Sequence, residues 1–217
     1  MGKEEGYFSR LGHLFSHPKK FLDSAAGEKK YSKILFFYVF IAVIAIVFDA
    51  VLAFIRAYYN PGDMTLAANL GFIALSVLFS IGLAFVSPFV ISFIIHLGVL
   101  VFGGKKGYFN TFKPITYSAA ISEIYQVFLV ILGVIAFFTV GDLVFNGITA
   151  VSPGLLAVTV LYFLVLVISL IHVLYAEIIG ISKFQAMPKG KAFLSIVFVP
   201  VIILVLGMII YFAVTAA

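Results

Sequence analysis

The sequence predicts an all-α membrane protein with five transmembrane helices and a short amphipathic N-terminal segment at the membrane interface. Of its 217 residues, 64% are hydrophobic and 11% are charged, whereas a soluble domain is closer to half apolar and a quarter charged. Five apolar runs each exceed the roughly 20 residues that a membrane-spanning helix needs. The polar segment before them has no short apolar core leading to a small-residue cleavage site, so we do not expect a cleavable signal peptide.

The predicted spans lie at about 34–57, 69–102, 114–140, 154–180 and 192–215. They divide the chain into a cytoplasmic tail, residues 1–33, and a five-span membrane domain, residues 34–217. Turn-forming Pro-Gly pairs at 61–62 and 153–154 separate neighbouring spans. The second run is too long for one straight crossing, and a proline inside a helix cannot donate its backbone hydrogen bond. We therefore predict a kink or a break at Pro88.

The tail has the pattern of two short helices. Three apolar residues recur at helical spacing opposite two basic ones: Phe8, Leu11 and Phe15 against Arg10 and His13. This pattern predicts an interfacial helix. Pro18 suits the start of a second short helix, and Gly27 suits its end. The lysines of the tail either bind anionic lipid headgroups or act only as a topology signal.

The positive charges predict the direction in which the chain crosses the membrane. All but one of the 14 Lys and Arg residues lie in the tail or in the loops at 103–113 and 181–191, the exception being Arg56. Loops rich in Lys and Arg stay in the cytoplasm, so the N-terminus is predicted to be cytoplasmic and the C-terminus extracytoplasmic. The two loops supply a candidate cytoplasmic interaction surface of six lysines: Lys105, Lys106, Lys113, Lys183, Lys189 and Lys191.

The glycine-lysine turn GGKKG at 103–107 has two interpretations. It is either a tight, positively charged connector or a nest of backbone amides that binds an anion. It lacks the G-x-x-x-x-G-K-[ST] spacing of a P-loop, which argues against nucleotide binding.

Three connecting segments occur in an order that is typical of one membrane protein family. HPKKFLDS precedes the first span, GGKKGYFNTFKP joins the second to the third, and GISKFQAMPKGKAF joins the fourth to the fifth. In this pattern the glycine-lysine turn is followed by a tyrosine in the next helix, here Tyr117. The chain resembles the Ypt-interacting-protein (Yip) family, particularly its prokaryotic branch. The resemblance implies a five-span protein with a cytoplasmic N-terminus, located in the cell membrane of a prokaryote.

Eukaryotic members of that family are associated with Rab-type GTPases and vesicle traffic. This chain departs from them because it lacks the acidic D-L-Y-G-P motif of many such members and has a short tail. The resemblance therefore does not extend to Rab binding.

Ionisable residues inside the predicted spans are the candidates for chemistry. They are Asp49, His96, Glu123, His172 and Glu177. A charge at the bilayer centre costs ~2.5–3.5 kcal/mol on insertion scales, so each needs a partner, a neutral state or water. Asp49 shares a helical face with Arg56 and is expected to pair partly with it near the outer interface.

The other four candidates lie at two matched depths. At 1.5 Å per residue, Glu123 is level with His172, and His96 and Glu177 are both shallower. We predict acid–histidine pairs, with Glu123 facing His172. Three roles stay open: holding the helices together, a proton or ion pathway, and a metal or hydrolytic site. The last lacks an H-E-x-x-H pattern, and His172 and Glu177 lie about 140° apart around their helix.

The sequence thus favours a non-enzymatic protein with a membrane-organising, trafficking-like or partner-recruiting role. It contains no catalytic, cofactor or metal-binding motif and no cysteine. The alternative is a small proton- or ion-coupled transporter or channel that uses Glu123 and His172. The expected partners are anionic lipid headgroups at the cytoplasmic face and either a cytoplasmic protein or a second copy of the chain. Nucleic acid is not expected, because the positive charges flank apolar runs.

Overall fold

The fold is all-α throughout the residues that the computed structural model describes, which are 6–59, 65–145 and 153–215. The helices in these ranges are α1 Tyr7–Ser16, α2 Pro18–Ser24, α3 Tyr31–Tyr59, α4 Leu66–Val101, α5 Phe109–Phe145, α6 Pro153–Phe184 and α7 Lys189–Thr215. A 3-10 helix, Ala25–Gly27, follows α2 directly. The predicted fold class and the short N-terminal helical segment are confirmed.

The helices α3 to α7 are each long and apolar enough to span a membrane. They correspond one to one to the five predicted spans. Their outward surfaces are apolar, with side chains such as Phe79 and Leu170 69% and 67% exposed. Exposed apolar area on this scale is stable only against lipid or another protein.

The helix α4 continues through Pro88 without a break, so the prediction of a break was wrong. A proline removes only its own N–H donor, and in membrane helices the carbonyl that this frees is satisfied by neighbouring groups. Pro88 is also buried, which fixes it among packed side chains. A kink at this position stays a prediction.

The chain forms two compact units, and each takes parts of several long helices. The first unit contains the chain up to Leu35, the segment Val86–Ala119, and the chain from Leu174 onward. The second contains Phe36–Phe85 and Ala120–Val173. The tail helices α1 and α2 therefore belong to the same unit as the start of α5 and the end of α6.

The core of the first unit joins α4, α5, α6 and α7. Its buried members are Ile95, Val99, Ile115, Ile181, Met187, Ala192 and Ile196. Two glycines bring the helices close together: a Cβ atom on Gly98 would overlap the carbonyl oxygen of Ser195 in α7, and one on Gly180 would overlap Pro114 in α5. Small residues at such contacts let helix backbones approach each other. The end of α6 and the start of α5 are thus held side by side.

In the second unit, α3 packs against α5. A Cβ atom on Gly133 would lie 3.2 Å from Cδ2 of Leu52, and Tyr59 and Phe138 place their ring centroids 5.8 Å apart. This packing sets the surroundings of Glu123, which lies in the same stretch of α5.

Candidate functional site

A buried lysine at the start of α5 holds the end of the tail. Lys113 is 3% exposed, and its Nζ donates to the carbonyl oxygens of Ala26 at 3.2 Å and Glu28 at 3.3 Å. Carbonyls at a helix end have no partner within the helix, so Lys113 supplies donors where the 3-10 helix stops. Its ammonium group also lies 4.5 Å from the ring centroid of Phe184, a cation–π contact that links the start of α5 to the end of α6.

The burial of Lys113 corrects one part of the predicted interaction surface. A side chain with this little exposure cannot contact a partner from outside. Lys105, Lys106, Lys189 and Lys191 are exposed, and Lys183 is half-buried.

A latch of three side chains fixes α1 to the end of the tail, at Glu28, and to α5. The guanidinium of Arg10 donates through Nη2 to Glu28 Oε1 at 2.7 Å, and the hydroxyl of Tyr117 donates to Glu28 Oε2. The same Arg10 nitrogen lies 3.4 Å from the Tyr117 hydroxyl. The side chains of Arg10 and Glu28 are 15% and 14% exposed, so these charge-assisted hydrogen bonds are largely shielded from water. We name Arg10, Glu28 and Tyr117 the tail latch.

The tail latch shows which face of α1 docks against the protein. Arg10 points into the protein and Leu14 is fully buried, while Phe8 is 69% exposed. The face of α1 that docks is therefore set by the carboxylate of Glu28 and not only by apolar side chains. The placement of α1 at the membrane interface stays a prediction.

An apolar contact and an ion pair support the latch. The ring of Phe21 meets the buried ring of Tyr117 edge to face, with centroids 4.9 Å apart. On α2, the carboxylate of Asp23 accepts a hydrogen bond from Lys183 of α6. This bond lowers the pKa of Asp23 below its ordinary value. Because Asp23 is exposed, the ion pair contributes little to stability compared with the buried contacts.

A second buried side chain, Gln185, holds the glycine-lysine turn. Its Oε1 accepts from the backbone N–H of Lys106 at 3.0 Å, and its Nε2 donates to the carbonyl of Gly107 at 2.9 Å. The two backbone partners fix the orientation of the amide. The turn has positive φ angles of 92° at Gly103 and 78° at Gly107, which glycine adopts without strain. The amide of Lys106 is thus engaged within the protein, which favours the connector over the anion nest.

The same amide extends a hydrogen-bond chain into α4. Nε2 of Gln185 donates to the hydroxyl oxygen of Thr111 at 3.0 Å, and that oxygen lies 2.8 Å from Nδ1 of His96. A threonine hydroxyl can both donate and accept, so Thr111 bridges Gln185 and His96.

The turn is anchored at a second point. The hydroxyl of Tyr108 donates to the carbonyl of Phe89 at 2.7 Å. Burial, together with the nearby Tyr31, raises the pKa of Tyr108 to about 12. The hydroxyl therefore stays protonated, and a donor, at neutral pH.

Each ionisable candidate inside the spans bonds to a hydroxyl group or an amide. The pairs are Glu123 Oε1 with the Tyr38 hydroxyl at 3.1 Å, His172 Nδ1 with the Tyr125 hydroxyl at 3.1 Å, Glu177 Oε1 with the Ser118 hydroxyl at 3.0 Å, and Asp49 with Gln126 Nε2 at 3.3 Å. His96 pairs with Thr111 as described. The expected acid–histidine bond is not formed, because Glu123 reaches Tyr38 of α3 instead of His172. Within the described ranges, no group of three His, Asp or Glu side chains could hold a metal.

The family of the chain follows from comparison with known proteins. A family model described as the Yip1 domain matches residues 12–211. The chain belongs to the Yip1 family. With its five long apolar helices, this Yip1 family member is a multi-pass integral membrane protein. No curated protein and no solved structure matches it.

The Yip1 match covers most of the site. The matched range takes in Glu28, Lys113, Tyr117 and Gln185, whereas Arg10 and the start of α1 precede it. Sequence reasoning identified Tyr117 as part of the family pattern but assigned it no contact. It missed Glu28 and Gln185. Glu28 had one usable signal, which is an acid placed directly before Lys29 and Lys30 in the basic tail.

We expect Tyr117→Phe to loosen the tail without changing the packing of the ring. The substitution removes the hydroxyl that donates to Glu28, and a hydrogen bond to a charged group contributes about 1.5–3 kcal/mol. Trypsin cleavage at Lys19 and Lys20, measured on the purified protein in detergent, should become roughly ten- to a hundredfold faster, because cleavage follows the population of the open form. Tyr175→Phe, at an exposed tyrosine, is the matched control. Equal cleavage rates in the two variants would contradict a latch.

We expect Gln185→Ala to release the glycine-lysine turn. The substitution removes three hydrogen bonds, each with a net value of about 0.5–1.5 kcal/mol. Hydrogen–deuterium exchange of the 103–108 segment should be at least about tenfold faster than in the unaltered protein. Gln126→Ala serves as the control, because Gln126 is half-buried and bonds to Asp49 in the second unit. Unchanged exchange in Gln185→Ala would show that the turn keeps its conformation without the hydrogen bonds of Gln185.

Proposed function

We propose that this Yip1 family member is a non-enzymatic membrane-organising protein that recruits a protein partner at its cytoplasmic face. The observation that carries the proposal is the docked tail. Arg10, Glu28, Tyr117 and Lys113 fix α1 and α2 in one position against α5 and α6. A fixed surface, unlike a loose tail, can present side chains to a partner at little entropic cost.

The surface that this docking presents has the composition of a binding face. Phe8 is 69% exposed and Tyr7 is 46% exposed, and aromatic side chains are enriched at protein interfaces. Exposed lysines accompany them on α2, the glycine-lysine turn and the start of α7: Lys19, Lys20, Lys105, Lys106, Lys189 and Lys191. An acidic protein partner or a second copy of the chain would meet aromatic anchors within a positive field.

The intramembrane residues support this proposal over transport. The described partners of Glu123, Glu177, His96 and His172 are hydroxyl groups of neighbouring helices. Hydrogen bonds of this kind hold membrane helices together. A transport role would instead be indicated by ion flux through the reconstituted protein that Glu123→Gln abolishes, and such flux would contradict the proposal.

The proposal requires the N-terminus and both lysine-bearing loops to be cytoplasmic. The chain has no cysteine, so single cysteines can be labelled without background. An impermeant thiol reagent added to intact cells should leave Lys105→Cys unlabelled and label Tyr58→Cys, since both positions are exposed and the predicted topology puts them on opposite sides of the membrane. The reverse labelling pattern would show that the lysine-bearing loops face outward, and it would contradict recruitment of a cytoplasmic partner.

A photo-crosslinking residue at position 106 should capture one dominant partner in living cells. Lys106 is exposed beside a turn that Gln185 holds in place. Mass spectrometry of the adduct identifies either another protein or a second copy of the chain. The control is the same residue at position 58, near the end of α3. Equally diffuse capture at the two positions would show that the face has no specific partner.

A further inference from the structure

A groove of about 400 Å³ lies on the surface of the first unit, where α4 meets the residue that precedes α5. It is lined by Phe89, Val90 and Phe93 of α4 and by Tyr108. Its volume is within the range of small-molecule sites, which is about 300–1,000 Å³. The lining exposes almost no polar atoms, so whatever enters the groove must itself be apolar.

The groove is continuous with the apolar surface that α4 presents outward. Val90 and Phe93 are 50% and 57% exposed, and α4 is one of the helices that are long and apolar enough to span a membrane. Exposed apolar area of this kind faces lipid or another protein. An acyl chain of the surrounding bilayer can therefore enter the groove from the side without crossing water.

Stacked aromatic rings place the groove near the headgroup layer. The ring centroid of Tyr31, the first residue of α3, lies 6.1 Å from that of Phe89 and 6.4 Å from that of Tyr108. The 29 residues of α3 make a helix of about 43 Å, which matches a bilayer of about 40–45 Å with its headgroups included. Tyr31 is thus at the level of the headgroups, where tyrosine is enriched, and the groove lies against its ring.

Lysines beside these rings complement an anionic headgroup. Lys30 directly precedes Tyr31, and Lys106 lies two residues before Tyr108, at most about 7 Å along the chain. Both lysines are exposed, and in the part of the chain that the structure describes neither takes part in an ion pair. Gln185 fixes the backbone of Lys106 next to the groove. The two charges are therefore available to a lipid whose chain enters there.

We propose that the groove binds one acyl chain of an anionic phospholipid, whose headgroup lies beside Lys30 and Lys106. The two parts of the site have different roles. Lipid tails are as apolar as the groove, so filling it fixes the position of the lipid but does not distinguish one headgroup from another. The lysines make that distinction. The site goes beyond the proposed function and does not depend on it, because lipid binding requires no protein partner.

The test measures lipid binding to the full-length protein in a neutral detergent by native mass spectrometry. Phosphatidylglycerol and phosphatidylcholine with identical acyl chains are added at equal concentrations in about 0.15 M salt, where the Debye length is about 8 Å and diffuse attraction is weak. We expect one phosphatidylglycerol to bind at least about fivefold more tightly than phosphatidylcholine, which is the contribution of one lysine near the membrane surface. Equal binding of the two lipids would overturn the proposal.

The groove is tested by filling it. Val90→Trp places a large ring in the groove and should weaken the binding of both lipids at least about tenfold. Val51→Trp is the matched control, because Val51 is also 50% exposed but lies on α3 in the second unit. Equal binding by the two variants would overturn the proposal. If Val90→Trp does not fold, Phe93→Ala removes part of the groove wall and should weaken the binding of both lipids in the same direction.

The headgroup contact is tested by removing one charge. Lys106→Gln should weaken the binding of phosphatidylglycerol about fivefold and leave that of phosphatidylcholine unchanged. The matched control is Lys20→Gln, at an exposed lysine on α2 that is not adjacent in sequence to any groove residue. It should change binding by less than about twofold at this salt concentration. Equal losses in these two variants would indicate diffuse surface charge and would overturn the proposal.

The same spectra test the other candidate occupant, a second copy of the chain. A dimer that Val90→Trp removes would assign the groove to that second copy and overturn the lipid. Because all of these measurements use the purified protein, their outcome is independent of the crosslinking in cells. The failure of one proposal is therefore distinguishable from the failure of the other.

Discussion

Two charged side chains are withdrawn from water where the tail meets α5, and the first unit depends on how they are satisfied. Removing an ion from water costs several kcal/mol unless partners replace the solvent. Lys113 finds two backbone carbonyls of the tail, and Glu28 finds Arg10 of α1 and the hydroxyl of Tyr117. Neither charge has these partners unless α1, α2 and the 3-10 helix are docked. The tail is thus part of the folded domain.

The acidic residues Glu123 and Glu177 inside the spans are also hydrogen-bonded, but their partners are neutral hydroxyl groups. A hydroxyl group can both donate and accept a hydrogen bond. Tyr38, beside Glu123, can therefore donate to a carboxylate or accept from a carboxylic acid, and Ser118 can do the same for Glu177. An ion pair inside the bilayer would fix one protonation state. Hydroxyl partners keep the helices joined in either state, which suits a structural role.

The fold class could be predicted from the sequence because the bilayer imposes it: in lipid every backbone group must be satisfied, so long apolar runs become helices. The partners inside the membrane could not be predicted in the same way. Residue spacing gives the depth of Glu123, but the rotation of α5 against α3 decides that it faces Tyr38. Lys113 was placed in a loop because the third span was expected to begin at about residue 114. The helix begins at Phe109, which carries Lys113 into the packed part of α5.

The uninterrupted course of α4 has a consequence for the membrane that surrounds it. Its 36 residues make a helix of about 54 Å, against a hydrocarbon core of about 30 Å. The excess is absorbed by inclining the helix or by local thickening of the lipid, at a cost of fractions of a kcal/mol for each ångström of mismatch. Thicker, more ordered bilayers reduce that cost and thinner ones increase it. The length of α4 therefore couples the inclination of this helix to the thickness of the lipid around it.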